Sequence, residues 1–199
     1  EYSPGGRFLL SASRDRSFSL FQRDATGDDE EYHMLCRKQK AHERIVWGVS
    51  WVPGDSGVFA TCSRDKLVKL WSISDVVGAS REEFCQASGG PRPLMQLPVF
   101  EAAVTAVAFT RGPDETRPAL AVGLESGAIS VWSVDVSAGG CEKLWAAHSD
   151  EAHCAAVRRL SWQQPVPPAL GDQPCGAALL ASCGEDHKLR VFSVTQQRG

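Results

Sequence analysis

Residues 59–71 read FATCSRDKLVKLW, and this stretch decides the fold because its pattern recurs three more times along the chain. In each copy a short apolar run leads into a tight polar turn, and a second run then ends in an aromatic residue. The other copies are LLSASRDRSFSLF at 9–21, LAVGLESGAISVW at 120–132 and LASCGEDHKLRVF at 180–192. Three copies carry an Asp six residues before the final aromatic, whereas the copy at 120–132 has Ser126 there. Short alternating runs separated by tight turns predict repeated antiparallel sheets.

The repeat is typical of a WD40 β-propeller, in which each copy contributes one four-stranded sheet, or blade. The predicted repeats cover residues 1–40, 41–99, 100–147 and 148–199. Their predicted strands are 45–51, 57–63, 67–73 and 93–100 in the second repeat, 104–110, 118–124, 128–134 and 141–147 in the third, and 157–163, 177–183 and 188–194 in the fourth. The last repeat lacks an outer strand, and the first starts at the close of a strand. We therefore expect an all-β fragment, about four blades of a larger ring of seven, with open sheet edges that make it unstable alone.

Composition favours a soluble protein with a packed core. The 199 residues are 43% hydrophobic, and the net charge of −3 gives no general attraction to nucleic acid or anionic membrane. There is no apolar run long enough to span a bilayer and no secretory signal pattern at residues 1–10. The seven cysteines include no CxxC pair, and Cys62 and Cys183 occupy equivalent strand positions. These features predict buried thiols in a reducing compartment, with the cytoplasm as the expected location and the nucleus as a second one.

The polar residues His42, Thr61, Asp65 and Trp71 could be taken for parts of a nucleophilic triad. Their spacing instead matches the structural tetrad of a WD40 blade, in which the Asp accepts from the His, the His contacts a hydroxyl, and the hydroxyl contacts the Trp indole. A set that recurs with the repeat is expected to lock turns and strands together. We therefore predict no catalytic residue in this chain.

The number of tetrad residues that are kept differs from one repeat to the next. His153 is preferred to His148 because 162 − 153 equals 51 − 42, the separation of His and Trp in the second repeat. The other predicted members are His153, Ser182, Asp186 and Phe192 in the fourth repeat, and Ser11, Asp15 and Phe21 in the first, whose histidine we expect before residue 1. The third repeat has Phe100, Val122, Ser126 and Trp132 at these positions, so the tetrad is almost lost. The second repeat is predicted to be the most rigid.

Other constellations are weaker. His148, His153 and Cys154 lie close together, but no fourth residue has the spacing of a metal ligand, and we predict no metal, cofactor or small-molecule substrate. Arg14 and Arg16, like Arg64 and Lys66, flank a turn Asp, and such paired cations suit either the binding of a phosphate or carboxylate group or simple solvation. No glycine-rich segment continues into a phosphate loop.

Three stretches resemble one family, the Elongator complex protein 2 family. They are KAHERIVWGVSWVPGDSGVFATCSRDKLVKLW at 40–71, AVGLESGAISVW at 121–132, and RRLSW at 158–162 followed by LASCGEDHKLRVF at 180–192. They resemble, in order, the last repeats of that family's C-terminal, second propeller. The resemblance implies a scaffold that binds other Elongator subunits, while another subunit carries out modification of the wobble uridine of certain tRNAs. It transfers no catalytic residue to this chain and implies no membrane contact.

Two alternatives stay open. An unrelated WD40 adaptor for short peptides would need polar and aromatic residues clustered at one mouth of the ring, yet Arg14, Arg64, Glu125 and Glu185 are mixed in sign. Weak direct tRNA contact would use phosphate contacts from Arg64, Lys66, Lys69, Arg158, Arg159, Lys188 and Arg190. The long connections 24–31, 74–98 and 163–176 are either interaction loops or tolerated insertions.

Overall fold

The computed structural model describes residues 1–24, 31–54, 56–74, 76, 90–112, 117–163 and 177–195. Every regular element in these ranges is a β-strand, which confirms the all-β prediction. The strands are β1 Phe8–Ala12, β2 Phe18–Arg23, β3 Tyr32–Lys38, β4 Val46–Trp51, β5 Val58–Ser63, β6 Val68–Ser72, β7 Pro93–Gln96, β8 Val104–Thr110, β9 Ala119–Leu124, β10 Ile129–Asp135, β11 Gly140–Ala146, β12 Val157–Trp162, β13 Ala177–Gly184 and β14 Leu189–Thr195. No helix long and apolar enough to cross a membrane occurs in the described ranges.

The strands form four antiparallel sheets in which chain neighbours are also sheet neighbours. Sheet 1 is β1-β2-β3, sheet 2 is β4-β5-β6-β7, sheet 3 is β8-β9-β10-β11 and sheet 4 is β12-β13-β14. Tyr2 adds an isolated bridge to Leu9 at the inner edge of sheet 1. The sequence analysis missed β3, because its run YHMLCRK does not alternate cleanly between apolar and polar residues. The three long connections predicted from the sequence lie mostly outside the described residues.

Bulges recur at equivalent places in the sheets. The register of the inner strands β4, β8 and β12 shifts by one residue near the start of each strand, and the outer strands β3, β7 and β11 have a similar shift in the middle. The extra residues are Trp47, Thr105 and Arg158 in the inner strands, and Leu35, Leu94 and Leu144 in the outer strands. Because a bulge increases the local twist and bends the strand, it shapes each sheet into a blade.

The core lies between successive sheets. At the first junction Phe18 packs edge-on between Phe59 and Trp71, with ring centroids 5.2 and 5.1 Å away. The second and third junctions bury Val68 and Leu70, then Ile129 and Val131, at the same two positions of the third strand. Sheets 1, 2 and 3 therefore each direct aliphatic or aromatic side chains towards the following sheet, and that sheet covers them. Burial of this apolar surface is the main stabilising term of the fold.

The tight turn between β1 and β2, and the equivalent turn between the second and third strands of sheets 2, 3 and 4, has a left-handed residue in each sheet. Its φ is 74° at Arg16, 70° at Lys66, 92° at Gly127 and 59° at His187. Only the third sheet uses glycine, because a Cβ at Gly127 would lie 1.9 Å from the carbonyl oxygen of His153. At the same turn a backbone hydrogen bond forms, in which the His153 N–H donates to the Gly127 carbonyl at 3.2 Å. Sheets 3 and 4 thus meet backbone to backbone at this turn.

Candidate functional site

The structure brings His42, Thr61, Asp65 and Trp71 together in sheet 2. His42 Nδ1 lies 2.9 Å from Asp65 Oδ2, and His42 Nε2 lies 2.7 Å from Thr61 Oγ1. The Trp71 indole N–H donates to Thr61 Oγ1 at 2.8 Å. Asp65 also accepts the backbone N–H groups of Glu43 and Leu67, at 3.0 and 3.1 Å. One carboxylate therefore joins the start of the sheet to the turn between β5 and β6.

Burial determines the protonation state of this network. Desolvation lowers the pKa of His42, and the neighbouring Asp65 carboxylate opposes that shift only in part. The carboxylate can only accept, so the neutral imidazole carries its proton on Nδ1 and accepts the Thr61 hydroxyl proton at Nε2. Thr61 in turn accepts from the Trp71 indole. Each donor in the chain has an acceptor, which is the condition under which a buried polar network stabilises a fold.

Sheet 4 contains a shortened version. His153 Nδ1 lies 2.8 Å from Asp186 Oδ1, and His153 Nε2 lies 2.8 Å from Ser182 Oγ. Desolvation raises the pKa of Asp186, but hydrogen bonds from His153 and from the Lys188 and Cys154 amides together lower it to about 2. Phe192 has no indole donor and instead packs against Trp145, at 5.3 Å between ring centroids. The structure places His153, not His148, in this network.

Sheet 1 differs from the predicted set. Ser11 is exposed, and no hydrogen bond joins it to Asp15 in the described part of the chain. Asp15 accepts the Ser17 N–H at 3.0 Å and pairs with Arg37 of β3, whose Nε also donates to Ser17 Oγ at 3.2 Å. The Ser17 hydroxyl bond is the largest of several that lower the pKa of Asp15 to about 2. The Asp15 carboxylate is therefore engaged by Ser17 and Arg37 in the described part of sheet 1.

Ser11 and Phe21 lie on the rear face of sheet 1, which is the face turned away from sheet 2, and no described sheet covers that face. Within the described residues Ser11 has no histidine partner, and Asp15 pairs with the Arg37 guanidinium. Arg37 had no sequence signal, since a single Arg on an unpredicted strand looks like an ordinary solvated side chain.

Sheet 3 replaces the network by aromatic packing. Phe100 stands at the position of the histidine and packs edge-on against Trp132, with ring centroids 5.7 Å apart. The Trp132 indole N–H donates to Ser130 Oγ at 2.9 Å, and Ser126 is exposed in its turn. An apolar ring here avoids a buried imidazole without a carboxylate partner. Sequence analysis predicted this loss of the tetrad but not the new partner of Trp132.

The tetrads cannot serve as nucleophilic triads. The side chain of His42 is 1% exposed and that of Thr61 is fully buried, so no substrate carbonyl can approach the hydroxyl. The hydroxyl is also held by an indole donor instead of being free to attack. Among the described residues no group of three or more His, Cys, Asp or Glu side chains could hold a metal ion.

The cysteines of the described strands are thiols without disulfide partners. Burial raises the pKa of Cys62 to about 12 and that of Cys36 to about 11, so both stay protonated and unreactive. Cys183, at the position equivalent to Cys62, is half-buried and free. Cys154 is exposed beside Asp186, with its Sγ 3.8 Å from Oδ2. Cys85 and Cys175 lie outside the described residues.

The candidate tRNA-contacting cations do not form one free surface. Arg158 pairs with Glu185, Lys66 Nζ donates to the Glu101 carbonyl at 3.0 Å, and Lys69 Nζ donates to the Ala41 carbonyl at 2.8 Å. These three cations therefore already have partners within the chain and are less available for phosphate contacts. Arg64 and Glu125 are both exposed beside the equivalent turns of sheets 2 and 3, so these turns carry opposite charges, as expected from the sequence.

Aromatic residues lie at equivalent positions in the four sheets, at the C-terminal ends of the inner strands and at the isolated bridge of sheet 1. Tyr2, Trp51, Phe109 and Trp162 line one shallow cleft there. The indole of Trp162 donates to the Ala108 carbonyl at 2.9 Å, which ties sheet 4 to sheet 3. Glu1 and Arg111 give the cleft both signs of charge, so its chemistry does not select a ligand.

Comparison with known proteins finds one matching repeat family and a set of relatives that match nearly the whole chain. Residues 34–72, which include most of β3 and all of β4 to β6, match the family described as WD domain, G-beta repeat. The chain is 37% identical over 97% of its length to Elongator complex protein 2 of Arabidopsis thaliana, covering 22% of that protein. The corresponding protein of Schizosaccharomyces pombe is 38% identical over 98% of the chain, with 23% of its own length covered, and that of Homo sapiens is 31% identical over 98%, with 24% covered.

The chain therefore spans less than a quarter of each of these relatives. The matches run through all four sheets, including sheet 3, where the tetrad is missing. The chain contains a WD40 repeat at residues 34–72 and is homologous, over nearly its whole length, to a part of Elongator complex protein 2.

Proposed function

We propose that this chain is part of a scaffold subunit of the Elongator complex, which supports modification of tRNA wobble uridines by holding other subunits in register. The observation that carries the proposal is the similarity over nearly the whole chain to proteins named Elongator complex protein 2. Within that family the chain would correspond to the C-terminal part of the second propeller. Its partners are the other Elongator subunits, and its location is the cytoplasm, with the nucleus as a second site.

The arrangement of polar groups supports a scaffold and not an enzyme. The buried hydrogen-bonded groups recur with the repeat, as in the His42–Asp65 and His153–Asp186 pairs, instead of converging at one open site. We propose that both networks are structural and hold turns against strands. A rigid frame of this kind acts by presenting surfaces at fixed distances from one another.

Exposed apolar side chains on the outer strands suggest where a subunit would bind. Met34 on β3 is 51% exposed and Leu94 on β7 is 47% exposed, on neighbouring sheets. Exposed apolar patches mark sites of protein association, and methionine is enriched at the cores of such interfaces. We propose that these two strands take part in subunit contact.

The function is tested in cells in which the gene is replaced by variants of the intact protein. Loss of the protein should lower the carboxymethyl-type wobble uridines of tRNA, measured by nucleoside mass spectrometry. Met34→Glu with Leu94→Glu should reduce co-purification of the other subunits while the purified protein melts normally. Glu142→Ala, on the exposed side of β11, is the matched control and should leave co-purification intact.

Unchanged wobble uridines after complete loss would overturn the Elongator assignment and favour the peptide-binding adaptor. Direct tRNA contact has a separate signature, since affinity for tRNA would fall steeply as salt rises. Retention of the subunits by the Met34 and Leu94 variant would remove only the proposed contact strands.

A further inference from the structure

Trp47 differs from the other tryptophans of the chain in having no polar or ring contact. It is the bulged residue of β4 and is 38% exposed. Four tryptophans donate an indole hydrogen bond within the chain, namely Trp51, Trp71, Trp132 and Trp162. A fifth, Trp145, packs against Phe192. In the described ranges Trp47 forms neither kind of contact, so its exposed ring is available to a ligand.

Two backbone hydrogen bonds hold the turns of sheets 1 and 2 on either side of this bulge. The Val46 N–H donates to the Ser13 carbonyl at 3.3 Å, and the Arg64 N–H donates to the Ile45 carbonyl at 3.0 Å. Because Arg14 follows Ser13, the two arginines flank the start of β4. Both bonds lie within sheets 1 and 2, so the arrangement does not depend on any sheet outside the described chain.

The two guanidinium groups are available to bind an anion. Arg14 and Arg64 are exposed, and within the described residues neither side chain forms an ion pair or a hydrogen bond. The same position of the repeat is acidic in the other two sheets, with Glu125 in sheet 3 and Glu185 in sheet 4, where Glu185 pairs with Arg158. At this position, unpaired positive charge is therefore confined to sheets 1 and 2.

We propose that Trp47, Arg14 and Arg64 form a binding site for single-stranded nucleic acid, in which one base stacks on the indole and the neighbouring phosphates bind the two guanidinium groups. Proteins bind single strands through aromatic rings that stack on bases and cations that contact the backbone. The planar guanidinium suits phosphate because it can donate two parallel hydrogen bonds to its oxygens.

Nucleic acid fits the site better than an acidic protein segment does. Carboxylate side chains would also be attracted to Arg14 and Arg64, but they offer no flat ring to the exposed indole of Trp47. A nucleotide supplies a π-face and an anion together. The site goes beyond the scaffold role proposed above and does not rest on the Elongator assignment, since it follows from the side chains of two neighbouring sheets.

The test is the fluorescence anisotropy of a short labelled oligouridine, titrated with the intact protein that contains this chain at several salt concentrations. Trp47→Ala should weaken binding about 5- to 150-fold, the loss of one stacked base, without changing the salt dependence. Arg14→Ala and Arg64→Ala should each weaken binding and lower the slope of log affinity against log salt by about 0.7, because each removes one phosphate contact. Trp47→Phe keeps a stacking ring and should retain most of the affinity.

Arg111→Ala is the matched control, because Arg111 is an exposed arginine just after the end of β8 and outside the proposed site. It should change neither the affinity nor the salt slope. Thermal melts of all variants should coincide with that of the parent protein, which separates lost binding from lost folding. An oligothymidine of the same length distinguishes DNA from RNA, and binding of either strand with the same response to Trp47→Ala supports the site.

Three results would overturn the proposal. The first is the absence of measurable binding to either strand. The second is equal affinity for a duplex, whose bases are already stacked on one another, because charge alone would then explain the binding. The third is polyglutamate that binds as tightly as oligouridine while Trp47→Ala loses no affinity for either, which would assign the two arginines to an acidic protein partner.

Discussion

The imidazole of His42 lies 2.9 Å from the carboxylate of Asp65, and this pair joins residues 23 apart in the chain at the heart of sheet 2. Both side chains are nearly inaccessible to solvent. The carboxylate also accepts two backbone N–H groups, so a single side chain fixes the entry of β4 and the turn before β6. The stability of the blade should depend on this carboxylate more than on any exposed turn residue.

Asp65→Ala should lower the free energy of unfolding by about 1–3 kcal/mol, because it leaves the buried His42 and two backbone amides without an acceptor. Ser126→Ala is the matched control at the equivalent turn of sheet 3, where the side chain is exposed and should cost less than about 0.5 kcal/mol. Denaturant melts of the two variants beside the parent protein provide the measurement. Equal shifts in the two midpoints would contradict a special role for Asp65.

Gly127→Ala should destabilise the protein by at least about 3 kcal/mol. The new Cβ would lie 1.9 Å from the His153 carbonyl oxygen, so sheets 3 and 4 would have to separate at the turn. Gly139→Ala is the control, since its φ of +68° is similarly strained but no atom lies within 4 Å of the added Cβ. It should cost only the backbone strain of about 1–2 kcal/mol. Thermal melts that rank the two variants in the opposite order would show that sheets 3 and 4 yield easily.

Stability should fall as the pH is lowered from about 7 to 5. The pKa of folded His42 is lowered below its ordinary value of 6.5, so the unfolded state binds more protons once the pH drops below that value. The contribution of neutral His42 is therefore present above pH 6.5 and lost as the pH falls towards its folded pKa. Asp186, with a folded pKa of about 2 against 3.8, loses its contribution only in a separate, more acidic window.

His42→Gln should be less stable at pH 7 and should lose part of this slope, whereas His148→Gln should keep it because His148 is exposed. The measurement is the melting temperature of each variant at half-unit steps of pH. A parent protein whose melting temperature is flat from pH 7 to 5 would refute the linkage to His42.

Arg37→Ala should cost no more than about 1 kcal/mol, although Arg37 pairs with Asp15. Both side chains of that pair are nearly half exposed, where screening by water keeps an ion pair weak. Raising the salt concentration should therefore diminish the difference between this variant and the parent in denaturant melts. A salt-independent loss above about 2 kcal/mol would mean that sheet 1 depends on Arg37 as sheet 2 depends on Asp65.

The amino-acid sequence by itself determined the local and repeating features of this protein. Alternation with period two and turns around Asp15, Asp65 and Asp186 predicted β1 and β2, β5 and β6, and β13 and β14, because those signals act over a few residues. The spacing of His153 and Trp162 selected His153 over His148 for the same reason. The run through Ser126 and Gly127 already indicated that sheet 3 had lost its tetrad.

Tertiary structure alone decided what depends on neighbouring sheets. Whether Leu70 is buried and Val191 is open depends on the presence of a covering sheet, which no local pattern reports. The pairing of Arg37, from a strand with no clear alternation, with Asp15 is also a tertiary contact that no local pattern reports. The glycine at 127 is likewise explained only by the approach of the His153 backbone, because close contact between distant segments is a property of packing and not of sequence.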